Sequence, residues 1–205
     1  MSNPTKQLGN IIIISAPSGA GKSSISNVVV SSNKNVVYSI SYTTRLPRKD
    51  EKNGKNYFFV NEAEFKKMVE EKKFVEWAKV HNNYYGTSKA LLEKVLKTGK
   101  NILLEIDVQG GINIKKQYPT ACMIFIMTPD LKTLENRLVA RNKDCRETID
   151  IRLNNVKKEL KYLKKYEYLV INKKLNDAVN AVKTIIKSLD YRIQKNKKYF
   201  RICSH

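Results

Sequence analysis

Lys22 and Ser23 close the run Ser15-Ala16-Pro17-Ser18-Gly19-Ala20-Gly21-Lys22-Ser23-Ser24, which follows four isoleucines. The spacing is that of a G-x-x-x-x-G-K-[ST] loop with Ala16 standing for the first glycine. In such a loop successive backbone N–H groups converge on phosphate oxygens, and the dipole of the following helix adds favourable potential. Gly19 and Gly21 allow close backbone approach, Lys22 reaches the β- and γ-phosphates, and the Ser23 hydroxyl meets the Mg²⁺ of a nucleoside triphosphate. The first position lies at a strand exit, where small size matters more than a positive φ, so alanine serves. A plain strand–turn–helix is the competing reading, and context and spacing both favour the phosphate loop.

Further groups with chemical capacity lie downstream. Arg45 and Arg48 are three apart around Pro47, and each guanidinium offers a fork of donors suited to a second phosphate. Tyr57, Glu76, Tyr85 and Thr87 supply phenols, a carboxylate and a hydroxyl. Glu105 and Asp107 end an apolar run and can hold metal-bound water or orient a substrate. Taken singly, these residues have ordinary readings: Tyr57 and Tyr85 as core, Glu76 as surface, Arg141 and Arg152 as solvated helix faces. The two histidines, His81 and His205, have no catalytic setting, and Cys122, Cys145 and Cys203 have no C-x-x-C spacing. A hydrolytic triad or a metal cluster has no support.

Positioning such groups requires a sheet. Asn10–Ser15, Val36–Ile40, Asn101–Asp107, Ala121–Met127 and Tyr168–Asn172 read as strands, the apolar ones as buried parallel strands. Helices are expected over Gly21–Ser31, Asn61–Glu71, Ser88–Lys97, Leu131–Arg141, Glu147–Lys165 and Asn176–Lys195, with a turn at Lys52–Gly54 and a short strand at Tyr57–Val60. Alternating strands and helices give an α/β fold with a parallel sheet. The polar stretches Ser41–Gly86 and Pro129–Lys165 interrupt the alternation and are expected to project from it.

The chain has 205 residues, enough for one domain with small insertions, and 39 Lys and Arg against 19 Asp and Glu, a net charge of +20. That excess is spread along the sequence without a basic tail, so it argues for anionic small ligands over nucleic acid. No apolar stretch approaches the roughly 20 residues of a membrane span, and a soluble cytoplasmic protein is expected.

Taken in order, SAPSGAGKSS, S-x-T-T-R-x-P-R, N-G-x-x-Y-x-F-V, F-x-E-x-A, N-Y-Y-G-T-S and I-D-x-Q-G make the chain resemble the guanylate kinases from about Asn10 to Leu189. The resemblance implies a P-loop NTPase core (1–40, 87–128 and 167–205), a GMP-binding insertion (41–86) and a lid (129–166). It implies that Ala16 to Ser24, with Arg137 and Asn172, bind ATP, and that Arg45, Arg48, Tyr57 and Tyr85 hold the GMP phosphate. Ser41, Glu76 and Thr87 would read guanine with Asp107 helping to position it. Lys22, Arg48, Arg141 and Arg152 would stabilise the transferring phosphoryl group, and Ser23 would hold Mg²⁺. Glu105 stands where similar enzymes often carry Asp. The alternatives are another nucleoside monophosphate kinase and a non-catalytic guanylate-kinase-like binding module; the intact Gly21-Lys22-Ser23 argues against the latter.

Overall fold

A computed structural model describes residues 8–80, 82–140 and 146–195. The first half of the chain runs β1 (Ile11–Ser15), α1 (Lys22–Ser31), β2 (Val36–Tyr38), β3 (Tyr42–Thr43), β4 (Phe58–Phe59) and α2 (Glu62–Glu70). Next come β5 (Phe74–Val80), β6 (Asn83–Ser88), α3 (Lys89–Lys97), β7 (Asn101–Glu105) and α4 (Val108–Gln117). The remainder is β8 (Cys122–Met127), α5 (Leu131–Ala140), α6 (Arg146–Leu160), β9 (Tyr168–Ile171) and α7 (Leu175–Ser188).

Five strands form an all-parallel sheet in the order β2-β7-β1-β8-β9. Every residue of β1 and β8 is buried, because helices cover both faces of the sheet and leave no side for polar groups. Alternation then sorts the side chains. Ile12, Ile14, Leu103, Ile124 and Ile126 pack with Ile25 and Val29 of α1 and Val179, Val182 and Ile186 of α7. Ile11, Ile13, Ile102, Leu104 and Met123 pack on the other face with Leu92 and Val95 of α3 and Ile114 of α4. Cys122 belongs to the first of these layers.

A second, four-stranded sheet has the order β4-β3-β6-β5 and lies entirely between Tyr42 and Ser88. The Phe65 ring of α2 stacks on it, 4.6 Å from Phe74 and 5.4 Å from Tyr84. The β5–β6 hairpin is not evident in the sequence, and neither is α4. A register shift between Phe74 and Glu76 breaks the two-residue alternation of β5. The helix α4 carries Gly110 and Gly111 in VQGGINIKKQ, which depress helix propensity; Asp107 starts it all the same by accepting the Gly110 N–H at 2.8 Å. The terminal helix ends at Ser188, short of the expected Lys195, because the chain tightens into a turn at Leu189–Tyr191 and Arg192 is extended. Among the described residues no helix is long and apolar enough to cross a membrane.

Candidate active site

The loop after β1 leaves the carboxyl end of the sheet's central strand, where chains that diverge to either side of a sheet open a crevice. Gly19 and Gly21 both have φ 91, a left-handed conformation that side chains rarely adopt. Ala16 is not among the positive-φ residues, which explains why alanine suffices there. Gly21 then serves as N-cap of α1, so the first helical amides point at the space above Lys22.

Behind the loop, Asn172 acts as a clamp. Its Nδ2 donates to the Ala20 carbonyl at 2.8 Å, and its own N–H donates to Met127 at 2.7 Å. A Cβ on Gly21 would come within 2.4 Å of that Nδ2, so the glycine is needed for space as well as for φ. Arg137 donates to the Asn172 carbonyl at 3.0 Å. Neither Asn172 nor Arg137 lines the cleft in front of the loop.

That cleft has a volume of about 330 Å³. One wall is Ala16–Gly19 with Gly21, Lys22 and Ser23; the other is Ser41, Arg48, Tyr57, Glu76 and Tyr85, with Glu105 and Asp107 at the floor. Arg152 of α6 closes one end, its Nη1 donating to Ser18 Oγ at 2.7 Å. Ala20 is fully buried under the loop, and Ser24 is exposed outside the cleft. Arg141 lies outside the described residues.

Glu76 is buried, and burial, reinforced by the nearby Asp107 charge, pushes its carboxyl up to about 7 against the opposing Thr87 hydrogen bond. The register shift in β5 sets Glu76 opposite Thr87, so the two side chains share a face and Thr87 Oγ1 donates to Glu76 Oε1 at 2.7 Å. Thr87 is wholly buried and does not reach the cleft wall; its hydroxyl acts on Glu76. Glu105 accepts from Ser23 Oγ at 2.5 Å and from Tyr38 Oη at 3.3 Å. A hydroxyl and a carboxylate side by side are hard oxygen donors of the type Mg²⁺ takes, and this ion keeps most of its shell as water and phosphate.

Arg45 lies one layer further out. It lines an adjoining hollow of about 530 Å³ that shares Ser23, Arg48, Tyr57, Tyr85 and Glu105 with the cleft. Its Nη2 donates to both oxygens of Glu51, at 2.8 and 2.9 Å, and the Arg48 N–H donates to Glu51 Oε2 at 2.9 Å. Although burial opposes both charges, that pairing raises the pKa of Arg45 and lowers that of Glu51. The Arg45 guanidinium also lies 5.5 Å from the Tyr57 ring centre. Burial and the charges of Glu105 and Tyr85 push the Tyr57 phenol up to about 12, so it stays a proton donor.

Glu51, Tyr38 and Glu159 are absent from the residues inferred from the sequence. Glu51 carries a faint signal, since it is three residues past Arg48 and turns back on it. Tyr38 and Glu159 carry none, because only tertiary packing brings them to the site. Burial pushes Glu159 of α6 up to about 7, with the charge of Lys22 working against it and that of Asp107 with it.

A parallel sheet with a glycine-lysine-serine loop at its central strand, facing a polar side-chain pocket, defines a P-loop NTPase. The sequence profile described as guanylate kinase matches residues 8–189. Guanylate kinases of Caldanaerobacter subterraneus subsp. tengcongensis and Helicobacter pylori are each 44% identical to the chain, over 192 and 194 residues. The first match covers 94% of this chain and 93% of its relative, the second 95% and 94%. The crystal structure of guanylate kinase from Anaplasma phagocytophilum superposes with a TM-score of 0.76 at 30% identity, covering 89% of this chain and 87% of that one. The chain belongs to the guanylate kinase family.

Proposed function

We propose that this protein transfers the γ-phosphoryl group of MgATP to GMP or dGMP, giving ADP and GDP or dGDP. The observation that carries the reading is one cleft with the phosphate loop on one wall and a buried carboxylate, two tyrosines and Arg48 on the other. Family membership and the names of the relatives support transfer over mere binding.

In this reading residues 41–86 form the acceptor half and 129–166 the lid. The loop amides and Lys22 hold the ATP phosphates, with Arg137 and Asn172 supporting the loop from behind. Mg²⁺, held by Ser23 with Glu105 beside it, would neutralise charge between the phosphates. Arg48, Tyr57 and Tyr85 take the GMP phosphate, and Arg45 backs them. A phosphomonoester has a second pKa of roughly 6, so the acceptor oxygen is already a nucleophile at neutral pH and needs no general base. It forms a bond to the γ-phosphorus as the bond to the β–γ bridging oxygen breaks, and ADP leaves with that oxygen's electron pair. Arg152, with Arg141, offsets the charge that gathers between two anions.

Guanine is selected at Glu76. Its carboxylate accepts from the adjacent N1–H and N2–H of guanine, the Ser41 hydroxyl donates to O6, and Asp107 keeps the base in place. Adenine presents a lone pair at N1, which no proton separates from the carboxylate. A site built on such bonds can reject the wrong base by about 10⁴-fold. The test is an acceptor panel: MgATP with GMP, dGMP, AMP, CMP and UMP, following ADP. GMP should be used best, dGMP well, and the others near background. AMP as best acceptor would overturn the reading. The proposed setting is the cytoplasm, with small-molecule substrates and neither nucleic acid nor membrane as partner.

A further inference from the structure

The carboxylate of Glu76 comes from the small sheet, but the surface it leans on belongs to the core. Its Oε1 is taken by Thr87, and no hydrogen bond to Oε2 is formed by any described residue. That oxygen instead lies against Gly110, where a Cβ would stand 2.8 Å from Oε2 and 3.2 Å from Cδ. Real Cβ atoms essentially never come within 3.0 Å of another group in this way. Gly110 cannot easily retreat. Its N–H is held by Asp107 at 2.8 Å, and at the other end of α4 Gln117 Nε2 donates to the Val75 carbonyl at 2.8 Å, beside Glu76 itself. The helix is thereby capped at its start by Asp107 and tied to β5 at its end by Gln117.

We infer that Gly110 is a specificity-setting position: the side chain it lacks is the space Glu76 Oε2 occupies, and that space aims the carboxylate at the base. Gly110 touches no substrate and acts as a positioning residue through Glu76. The inference deepens the reading given above and rests on Glu76 as the guanine acceptor. An added methyl meets the far end of a flexible side chain rather than backbone, so the carboxylate swings and the helix stays. Gly111 provides the contrast. A Cβ there would meet Ile13 Cγ2 and Met123 Cε at 3.2 Å, inside the core.

The experiment compares Gly110→Ala with Gly111→Ala in the full chain. Alanine is the better helix former, so Gly110→Ala should melt at the same temperature or higher. Its KM for GMP should nevertheless rise about 10-fold or more, as expected when a buried hydrogen-bonding site is misaligned. The KM for ATP and the kcat at saturating GMP should change little, and discrimination against AMP should shrink. Gly111→Ala should show the opposite pattern, a lower melting temperature with unchanged discrimination. Shortening the carboxylate relieves the clash, so Gly110→Ala combined with Glu76→Asp should be no worse than Glu76→Asp alone. An unchanged GMP KM, full additivity with Glu76→Asp, or loss of folded protein in Gly110→Ala would each overturn the inference. Glu76→Gln separates the two levels. If it too leaves GMP use unchanged, the reading of Glu76 fails; if it alone is damaging, only the role of Gly110 fails.

Discussion

The two walls of the cleft are made of different material. The loop after β1 presents backbone amides, shaped by two left-handed glycines and clamped from behind by Asn172. The opposite wall presents side chains, among them Glu76 held by Thr87 and Tyr57 against Tyr85 at 5.9 Å between ring centres, with the Arg45–Glu51 pair behind them. A backbone site recognises what every nucleoside triphosphate shares, its phosphates. A side-chain site can recognise what one base has and another lacks. In the proposed reading this is a division of labour, with the donor's phosphates on the backbone wall and the acceptor's phosphate and base on the side-chain wall.

Breaking the backbone wall should cost the most. Lys22→Ala should lower kcat by on the order of 10³, the scale of removing a preorganised charge from a transferring phosphoryl group. GMP affinity, measured by calorimetry with GMP alone, should stay nearly intact. Loss of GMP binding in the folded variant would show that the walls are not separate.

On the other wall, Glu76→Gln should reduce the preference for GMP over AMP by about 10²-fold or more, since an amide offers one acceptor oxygen where two donors arrive. The ATP KM serves as the internal control and should not move.

Smaller, and sharper, is a pH effect confined to the acceptor wall. The Glu76 carboxyl is raised from an ordinary 4.5 to about 7 in the ligand-free protein, yet it must be ionised to accept from guanine. GMP affinity should therefore strengthen as pH rises through about 7, with proton release on binding below it. Calorimetry in buffers of different ionisation enthalpy reads that proton, and Glu76→Gln should abolish its Glu76 share. The sign for stability is the reverse. A raised carboxyl pKa favours the fold fully below 4.5, and that contribution is lost as pH rises through about 7.

The smallest effect is expected behind the loop. Asn172→Ala removes one buried hydrogen bond, worth about 1 kcal/mol of stability. It should raise the ATP KM a few-fold without changing base preference, as read by thermal melts and initial rates.

The same contrast explains what the sequence reveals. A backbone-built wall needs glycines at fixed offsets between a strand and a helix, so SAPSGAGKSS announces it in ten letters. The three central core strands are legible for a related reason: burial on both faces writes IIII, ILL and CMIFIM as unbroken apolar runs. The side-chain wall has no such grammar. Glu76 and Thr87 are eleven residues apart on strands whose pairing slips at a bulge, and no periodicity reports that. Only the family resemblance links them in sequence. Glu51 goes unnoticed because an acid near two arginines looks like solvated surface, and Gly110 closes the I-D-x-Q-G motif without a role, because its importance lies in an atom it does not have.

Ser88 has a mechanical consequence. It is the last residue of β6 and also the N-cap of α3, its Oγ accepting from Leu91 at 3.3 Å, while Lys89 continues the ladder by donating to Lys73 at 2.9 Å. No slack separates strand from helix. At the other attachment, Ser39 is still bonded to Leu103 of the core and Ser41 already accepts from Phe58 of the small sheet, leaving Ile40 alone between them. The small sheet is thus joined to the core through a single residue at one attachment and with no linker at the other. The latter leads directly into α3, whose Leu92 and Val95 are packed into the core and whose far end meets Gly99 at φ 82 before β7 begins. The acceptor wall is thereby anchored, through one packed helix, to the strand that ends in Glu105.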